Sequence, residues 1–178
     1  MTSAEPRDGG RGRTRARATG RDAPRAFFAT PLVYARGFPT SFEARHPMRL
    51  RIYLVEDSPV IRDALSESLE ELVGARMVGW ASSEAEACQW LADNPNAWDL
   101  AVVDLFLLQG SGLNVVKSAS KRELRQKVVV LTGYATPPMR QRCLAAGADA
   151  VFDKATEIDE FTTYAINEVE RVAGETRY

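Results

Sequence analysis

Short apolar runs alternate with amphipathic segments along the chain from residue 48 onward. Five runs have the length and composition of buried strands, and each is followed by apolar residues at helical spacing. The runs are RIYLV, ARMVGWA, WDLAVV, KVVVLT and ADAVF, which begin at residues 51, 75, 98, 127 and 148. Five strands that alternate with five helices predict an α/β fold, in which a parallel five-stranded sheet carries helices on both faces.

Turn and capping residues predict where several helices begin and end. Ser58-Pro59 combines a capping hydroxyl with a proline suited to the first helical turn, and Gly147 is expected to end the fourth helix. Thr156 is predicted to cap the last helix, with Asp159 three residues later.

Polar side chains stand at the carboxyl ends of four of the five predicted strands. They are Glu56 and Asp57, Asp104, Thr132, and Lys154. A single acid after a strand is usually a turn or cap residue. Three carboxylates at one edge of a sheet repel each other unless a cation lies between them. Because ligands of open α/β sheets bind at the carboxyl edge, the sequence predicts a cation or phosphate site there.

Phosphoryl transfer onto Asp104 is the chemistry that fits these side chains. An aspartate carboxylate is a competent nucleophile towards a phosphoryl group, and Mg²⁺ is bound by carboxylate oxygens while it shares a phosphate oxygen. Lys154 would place a positive charge against one phosphoryl oxygen, and the Thr132 hydroxyl would donate to another. Mg²⁺ is the predicted cofactor, with Mn²⁺ as the alternative.

Residues 48–173 resemble a response-regulator receiver domain of bacterial two-component signalling. Motifs from four separate predicted strands carry the resemblance, in the order and spacing of that family. They are Glu56-Asp57, Asp104 with Gly112 eight positions on, Thr132-Gly133, the GADA turn from Gly147, and Lys154. The resemblance implies a flavodoxin-like, doubly wound fold with strand order 2-1-3-4-5.

The resemblance also implies a site and its partners. A histidine kinase or a histidine phosphotransfer protein would donate the phosphoryl group to Asp104, with Thr132 and Lys154 assisting. The metal would be surrounded by Glu56, Asp57, Asp104 and the main-chain carbonyl of Phe106.

Several positions depart from the commonest pattern of the family. Leu108 and Ala155 stand where proline is usual. Val151, three residues before Lys154, stands where an aromatic side chain usually moves on phosphorylation. Phe152 is one position late and is therefore expected to face the opposite side of the sheet.

Two bulky rings stand where members of the family control access of water to the acyl phosphate. Phe106 and Tyr134 follow Asp104 and Thr132 by two positions each. We expect these rings to slow the loss of the phosphoryl group.

The function expected from the sequence is that of a stand-alone receiver, which is a phosphoacceptor rather than an enzyme with a separate substrate. Only GETRY, residues 174–178, follows Ala173, so no output domain is expected. A receiver-like module that is never phosphorylated and acts only through protein contacts is the main alternative. An aspartyl-phosphate hydrolase would carry a second acid where this chain has Phe106, and a dinucleotide site would need a glycine-rich turn in place of EDSP.

Residues 1–47 differ in composition from the rest of the chain. They hold nine arginines against four acids, a net charge of +5, whereas residues 48–178 carry −6. We expect an Arg-rich, disordered extension, with an upstream mis-assignment of the start and true initiation at Met48 as the alternative. A nucleic-acid-binding arm and a transit peptide are less favoured interpretations.

Other features concern location and partners. The two cysteines, Cys88 and Cys143, are expected to be reduced, and no apolar run is long enough for a membrane span, so a cytoplasmic protein is expected. The fourth helix, fifth strand and fifth helix, with Met139, Phe161 and Tyr164, form the expected face for a partner or homodimer. The basic cluster within residues 121–127 is expected to be a solvated loop.

Overall fold

The structure, a computed structural model, describes residues 49–175. The Arg-rich extension, the alternative start at Met48 and the last three residues of the predicted tail lie outside the described residues. The predictions made for them therefore stay predictions.

Five parallel strands form one sheet in the order β2-β1-β3-β4-β5. Their bounds are β1 Arg51–Val55, β2 Arg76–Ala81, β3 Leu100–Val103, β4 Lys127–Thr132 and β5 Ala150–Asp153. The predicted α/β class, the five-stranded parallel sheet and the strand order are confirmed.

Five helices connect and follow the strands. Their bounds are α1 Pro59–Leu72, α2 Glu84–Asp93, α3 Gly112–Ser118, α4 Pro137–Ala145 and α5 Ile158–Glu175, and a short 3₁₀ turn, Ala119–Lys121, follows α3. Among the described residues, no helix combines the length and the apolar character that crossing a bilayer requires.

The ends of α1 and α5 show how local chemistry sets a helix start. The Ser58 hydroxyl accepts a hydrogen bond from the Ile61 N–H, and Pro59 is the first residue of α1, as predicted. The predicted cap at Thr156 is wrong, because its N–H donates to Asp153 in the turn after β5 and the helix begins only at Ile158.

Both faces of the sheet are buried, which explains the continuous apolar runs of the central strands. Side chains of α2, α3 and α4 pack on one face, and side chains of α1 and α5 pack on the other. Val151 belongs to the first layer, while Phe152 packs edge-on against Phe161 and Tyr164 in the second. The expectation that Phe152 faces away from Val151 is confirmed.

The two cysteines match the expectation from the sequence, whereas the expected partner face is only partly exposed. Cys88 and Cys143 are unpaired as expected, and burial raises the pKa of the Cys143 thiol. Phe161 is fully buried in the layer of α1 and α5, so its assignment to an exposed partner face is wrong. Met139 and Tyr164 remain partly exposed.

An ionic network closes the amino-terminal edge of the sheet around the buried carboxylate of Asp99. Arg51 donates to it from its main-chain N–H at 3.0 Å and from its guanidinium at 2.9 and 2.7 Å, and Arg125 adds a bond of 3.1 Å. Arg122 likewise pairs with Asp149 at 2.6 Å. The basic cluster is therefore not simply a solvated loop.

Burial alone would raise the pKa of Asp99, but the hydrogen bonds and charge of Arg51, together with the charge of Arg125, lower it. We expect Asp99→Asn to reduce the free energy of unfolding by about 2 kcal/mol at neutral pH, because charge-assisted bonds are lost. A carboxyl whose pKa is lower in the folded state stabilises the fold fully above its unfolded value, about 4, and loses that contribution as pH falls through the folded value.

The difference between wild type and Asp99→Asn should therefore shrink below about pH 4 in urea denaturation curves. Asp63→Asn is the matched control, since Asp63 is exposed. A difference that stays constant with pH would contradict this account.

Candidate functional site

Four strands deliver polar side chains to one edge of the sheet. Glu56 and Asp57 follow β1, Asp104 follows β3, Thr132 ends β4 and Lys154 follows β5. In the register of the sheet, Val55 pairs with Val103, Val103 with Val130, and Thr132 with Asp153, so β4 and β5 extend about two residues beyond β1 and β3 at this edge. The structure brings the predicted side chains together at the carboxyl edge.

The ammonium group of Lys154 lies between two buried carboxylates. Its Nζ is 2.5 Å from Glu56 Oε2 and 2.8 Å from Asp104 Oδ2. Burial alone would lower the pKa of Lys154, but the hydrogen bonds that its ammonium donates to Asp104 and Glu56, together with the negative charges of these carboxylates, raise it overall. Lys154 is therefore charged and offsets part of the negative charge of the edge.

Three carboxylates at this edge can converge on one cation. Glu56, Asp57 and Asp104 each offer an oxygen, and these atoms lie within 4.8 Å of one another. An all-oxygen donor set suits the hard cations Mg²⁺ and Mn²⁺. The N–H of Phe106 lies 3.4 Å from Asp104 Oδ1, and the role of the Phe106 carbonyl as a ligand stays a prediction.

Thr132 supplies a hydroxyl group that nothing in the described chain satisfies. Its side chain is completely buried, and its Oγ1 has no hydrogen-bond partner among the described residues. Buried polar groups are nearly always paired in folded proteins, so an unpaired one needs an explanation. A donor held ready for a group absent from the free protein is one such explanation.

Gly112 allows the loop after β3 to pass directly over Asp104. A Cβ atom at this position would lie 1.8 Å from the Asp104 carbonyl oxygen, which is a severe clash. The Gly112 N–H also donates to the Leu105 carbonyl at 3.0 Å. Close backbone approach, rather than an unusual φ angle, thus explains the glycine eight positions after Asp104.

The sequence model described as response regulator receiver domain matches residues 52–166, more than half of the chain. The chain belongs to this family. It is 25% identical over 111 residues to the response regulator UvrY of Escherichia coli, an alignment that covers 62% of this chain and 50% of UvrY. The chain spans about half the length of the curated relatives it matches.

Solved structures show the same fold. The signal receiver domain of a DNA-binding response regulator from Colwellia psychrerythraea is 22% identical with a TM-score of 0.60, covering 68% of this chain and 98% of that one. A Burkholderia pseudomallei response regulator solved with a phosphorylated aspartic acid, calcium ion and citrate is 22% identical with a TM-score of 0.57. The match covers 72% of this chain and 73% of that chain.

Two residues that replace the prolines usual in receiver domains use the N–H that proline would lack. The Leu108 N–H donates to Asp57 Oδ2 at 2.9 Å, and the Ala155 N–H donates to Asp153 Oδ1 at 2.8 Å. Sequence reasoning recorded both positions only as departures and missed these bonds. The sequence did contain one indication of these bonds, because a residue other than proline has a main-chain N–H that can donate to a nearby carboxylate.

We expect the Leu108 N–H to orient the Asp57 carboxylate for a cation, because Asp57 makes this bond while it keeps an oxygen within the cluster. Leu108→Pro removes the donor. Loss of a hydrogen bond to a metal ligand lowers metal affinity, and for this single bond we expect a loss of up to about tenfold in Mg²⁺ affinity. Leu108→Ala keeps the N–H. Because the Leu108 side chain is 87% exposed, the Ala variant should bind Mg²⁺ with the affinity of the wild type.

Isothermal titration with MgCl₂ measures the affinity of each variant. Equal affinities for Leu108→Pro and Leu108→Ala would show that this bond does not orient Asp57.

Proposed function

We propose that the chain accepts a phosphoryl group on Asp104 from a phosphohistidine of a histidine kinase or a histidine phosphotransfer protein. The observation that carries the proposal is the environment of the Asp104 carboxylate. It is buried, bound to the Lys154 ammonium, clustered with two further carboxylates and on the same edge as the unpaired Thr132 hydroxyl.

In the proposed reaction an Asp104 carboxylate oxygen attacks phosphorus, the P–N bond of the phosphohistidine breaks and its electron pair returns to the imidazole. The product is an acyl phosphate. Lys154 then places its charge against a phosphoryl oxygen, and the Thr132 hydroxyl donates to another. Bound Mg²⁺ or Mn²⁺, held by Glu56, Asp57 and Asp104, would neutralise charge on the transferring oxygens.

Signalling through protein contacts belongs to the same proposal. The face of α4, β5 and α5 is proposed to meet a downstream protein or a second copy of the chain. Met139 and Tyr164 are the partly exposed apolar residues that support this part. The phosphoryl group would bias a two-state equilibrium of this face through a few charge-assisted hydrogen bonds.

Intact-mass spectrometry of the full chain with MgCl₂ and acetyl phosphate tests the phosphoacceptor role. We expect wild type to gain one phosphoryl group, because the small donor reaches the same nucleophile, and we expect Asp104→Asn to gain none. Removal of Mg²⁺ with a chelator should abolish the gain.

Asp93→Asn, an exposed acid on α2, is the matched control and should be modified as wild type is. No gain in folded wild-type protein would overturn the proposal and favour the phosphorylation-independent interaction module.

The two rings near the site generate a second prediction. Phe106 and Tyr134 meet edge to face with their centroids 5.8 Å apart, and they are 57% and 53% exposed. Rings that shield an acyl phosphate slow attack by water, so replacing both residues by Ala should speed phosphoryl loss. An increase of about tenfold corresponds to a barrier lowered by about 1.4 kcal/mol.

The rate is measured as the decay of the phosphorylated mass after removal of acetyl phosphate. Leu124→Ala is the control, because Leu124 is exposed and lies in the turn that precedes β4. Equal decay rates in the double variant and in wild type would contradict a shielding role.

A further inference from the structure

Arg140 of α4 holds three segments of the chain at once. Its Nε donates to the Ala135 carbonyl at 2.9 Å, one terminal nitrogen donates to the Val151 carbonyl at 2.5 Å, and the other donates to Glu157 Oε2 at 2.6 Å. The planar guanidinium therefore joins the loop before α4, strand β5 and the residue before α5.

The loop before α4 is held at Ala135, whose carbonyl accepts a hydrogen bond from Arg140 Nε at 2.9 Å. Ala135 lies only three residues after Thr132. A shift of the Thr132 main chain therefore reaches the residue bound by Arg140 within one short turn.

The carboxylate of Glu157 accepts a hydrogen bond from the other side of the Arg140 guanidinium. Its Oε2 accepts both from Arg140 and from the Asp153 N–H, at 2.6 and 2.8 Å. These two hydrogen bonds, that from Arg140 first, lower the pKa of Glu157, so it is an anion at neutral pH. Glu157 immediately precedes α5, so its position bears on how that helix begins.

We propose that Arg140 is the positioning residue that couples the Thr132 loop to β5 and the start of α5. The inference rests on the proposed phosphoacceptor function. When the unpaired Thr132 hydroxyl engages a phosphoryl group, the loop through Ala135 moves with it. A rigid fork bound to three segments transmits that movement to the Val151 carbonyl and Glu157, which change position together.

Val151 has no aromatic ring that could move, and its main-chain carbonyl is the group that Arg140 binds. Val151 is packed in the layer of α2, α3 and α4 and carries no polar atom beyond its main chain. Its carbonyl, held by Arg140, is the polar contact through which α4 fixes this part of β5. The coupling therefore runs through the hydrogen bonds of the Arg140 guanidinium rather than through a moving aromatic ring.

The alternative role for Arg140 is a static brace, which would stabilise the fold without carrying any signal. Nitrogen-15 amide spectra of the full chain, recorded with and without beryllium fluoride and MgCl₂, separate the two roles. Beryllium fluoride serves as a non-covalent stand-in for the phosphoryl group. The amides of Gly133 and Tyr134 report the loop, and those of Asp153 and Glu157 report the far end.

In wild type we expect both pairs of amides to respond. In Arg140→Gln the response at Gly133 and Tyr134 should persist, while that at Asp153 and Glu157 falls about twofold or more. Arg140→Lys should behave like Arg140→Gln, because a single ammonium group cannot bridge three acceptors. Arg142→Gln, an exposed arginine on the same helix, is the matched control and should respond as wild type does.

Glu157→Gln provides a second variant that leaves Arg140 in place and removes the charge of one acceptor, and it should also weaken the distant response. An undiminished response at Asp153 and Glu157 in these variants would overturn the coupling role and establish a static brace. Absence of any response at Gly133 and Tyr134 in wild type would instead overturn the phosphoacceptor proposal, and the coupling with it.

Discussion

The charge of Lys154 is the interaction on which the carboxyl edge of the sheet depends. Glu56 and Asp104 are buried carboxylates, and moving such ions out of water costs several kcal/mol each unless they are paired. The ammonium group between them offsets that cost in the free protein. The same group is then in position to meet new negative charge, because it already contacts the proposed acceptor. One charge thus serves both stability and the proposed reaction.

The parallel sheet makes this arrangement unavoidable once the strands have formed. Each crossover returns the chain to the same edge, so the residues after β1, β3 and β5 meet although they are about fifty residues apart. The loop after β3 completes the edge. It passes over Asp104 because Gly112 has no side chain, and its Leu108 N–H reaches Asp57. Backbone groups, as well as side chains, therefore shape the candidate site.

Two further hydrogen-bond networks, around Asp99 and around Arg140, lie outside the carboxyl-edge site and connect different elements. Around Asp99, arginine bonds hold the starts of β1 and β3 and the turn before β4 at the edge opposite the site. These contacts join β1, β3 and the turn before β4, and each of these three strands has a paired strand on both sides. Around Arg140, bonds join a loop, an outer strand and a helix start. β5 is an edge strand, paired on one side only, so the network around Arg140 lies at the margin of the sheet.

Periodicity in the sequence determined the strands and the residues of the carboxyl edge, since a buried parallel strand is continuously apolar and its end is marked by the first polar residue. It also placed Val151 and Phe152 on opposite faces, because strand side chains alternate. Only the tertiary structure decided the inward position of Phe161 and the contacts Arg51–Asp99, Leu108–Asp57 and Arg140–Glu157. Hydrogen bonds and burial depend on distances between segments remote in sequence, which local pattern does not encode.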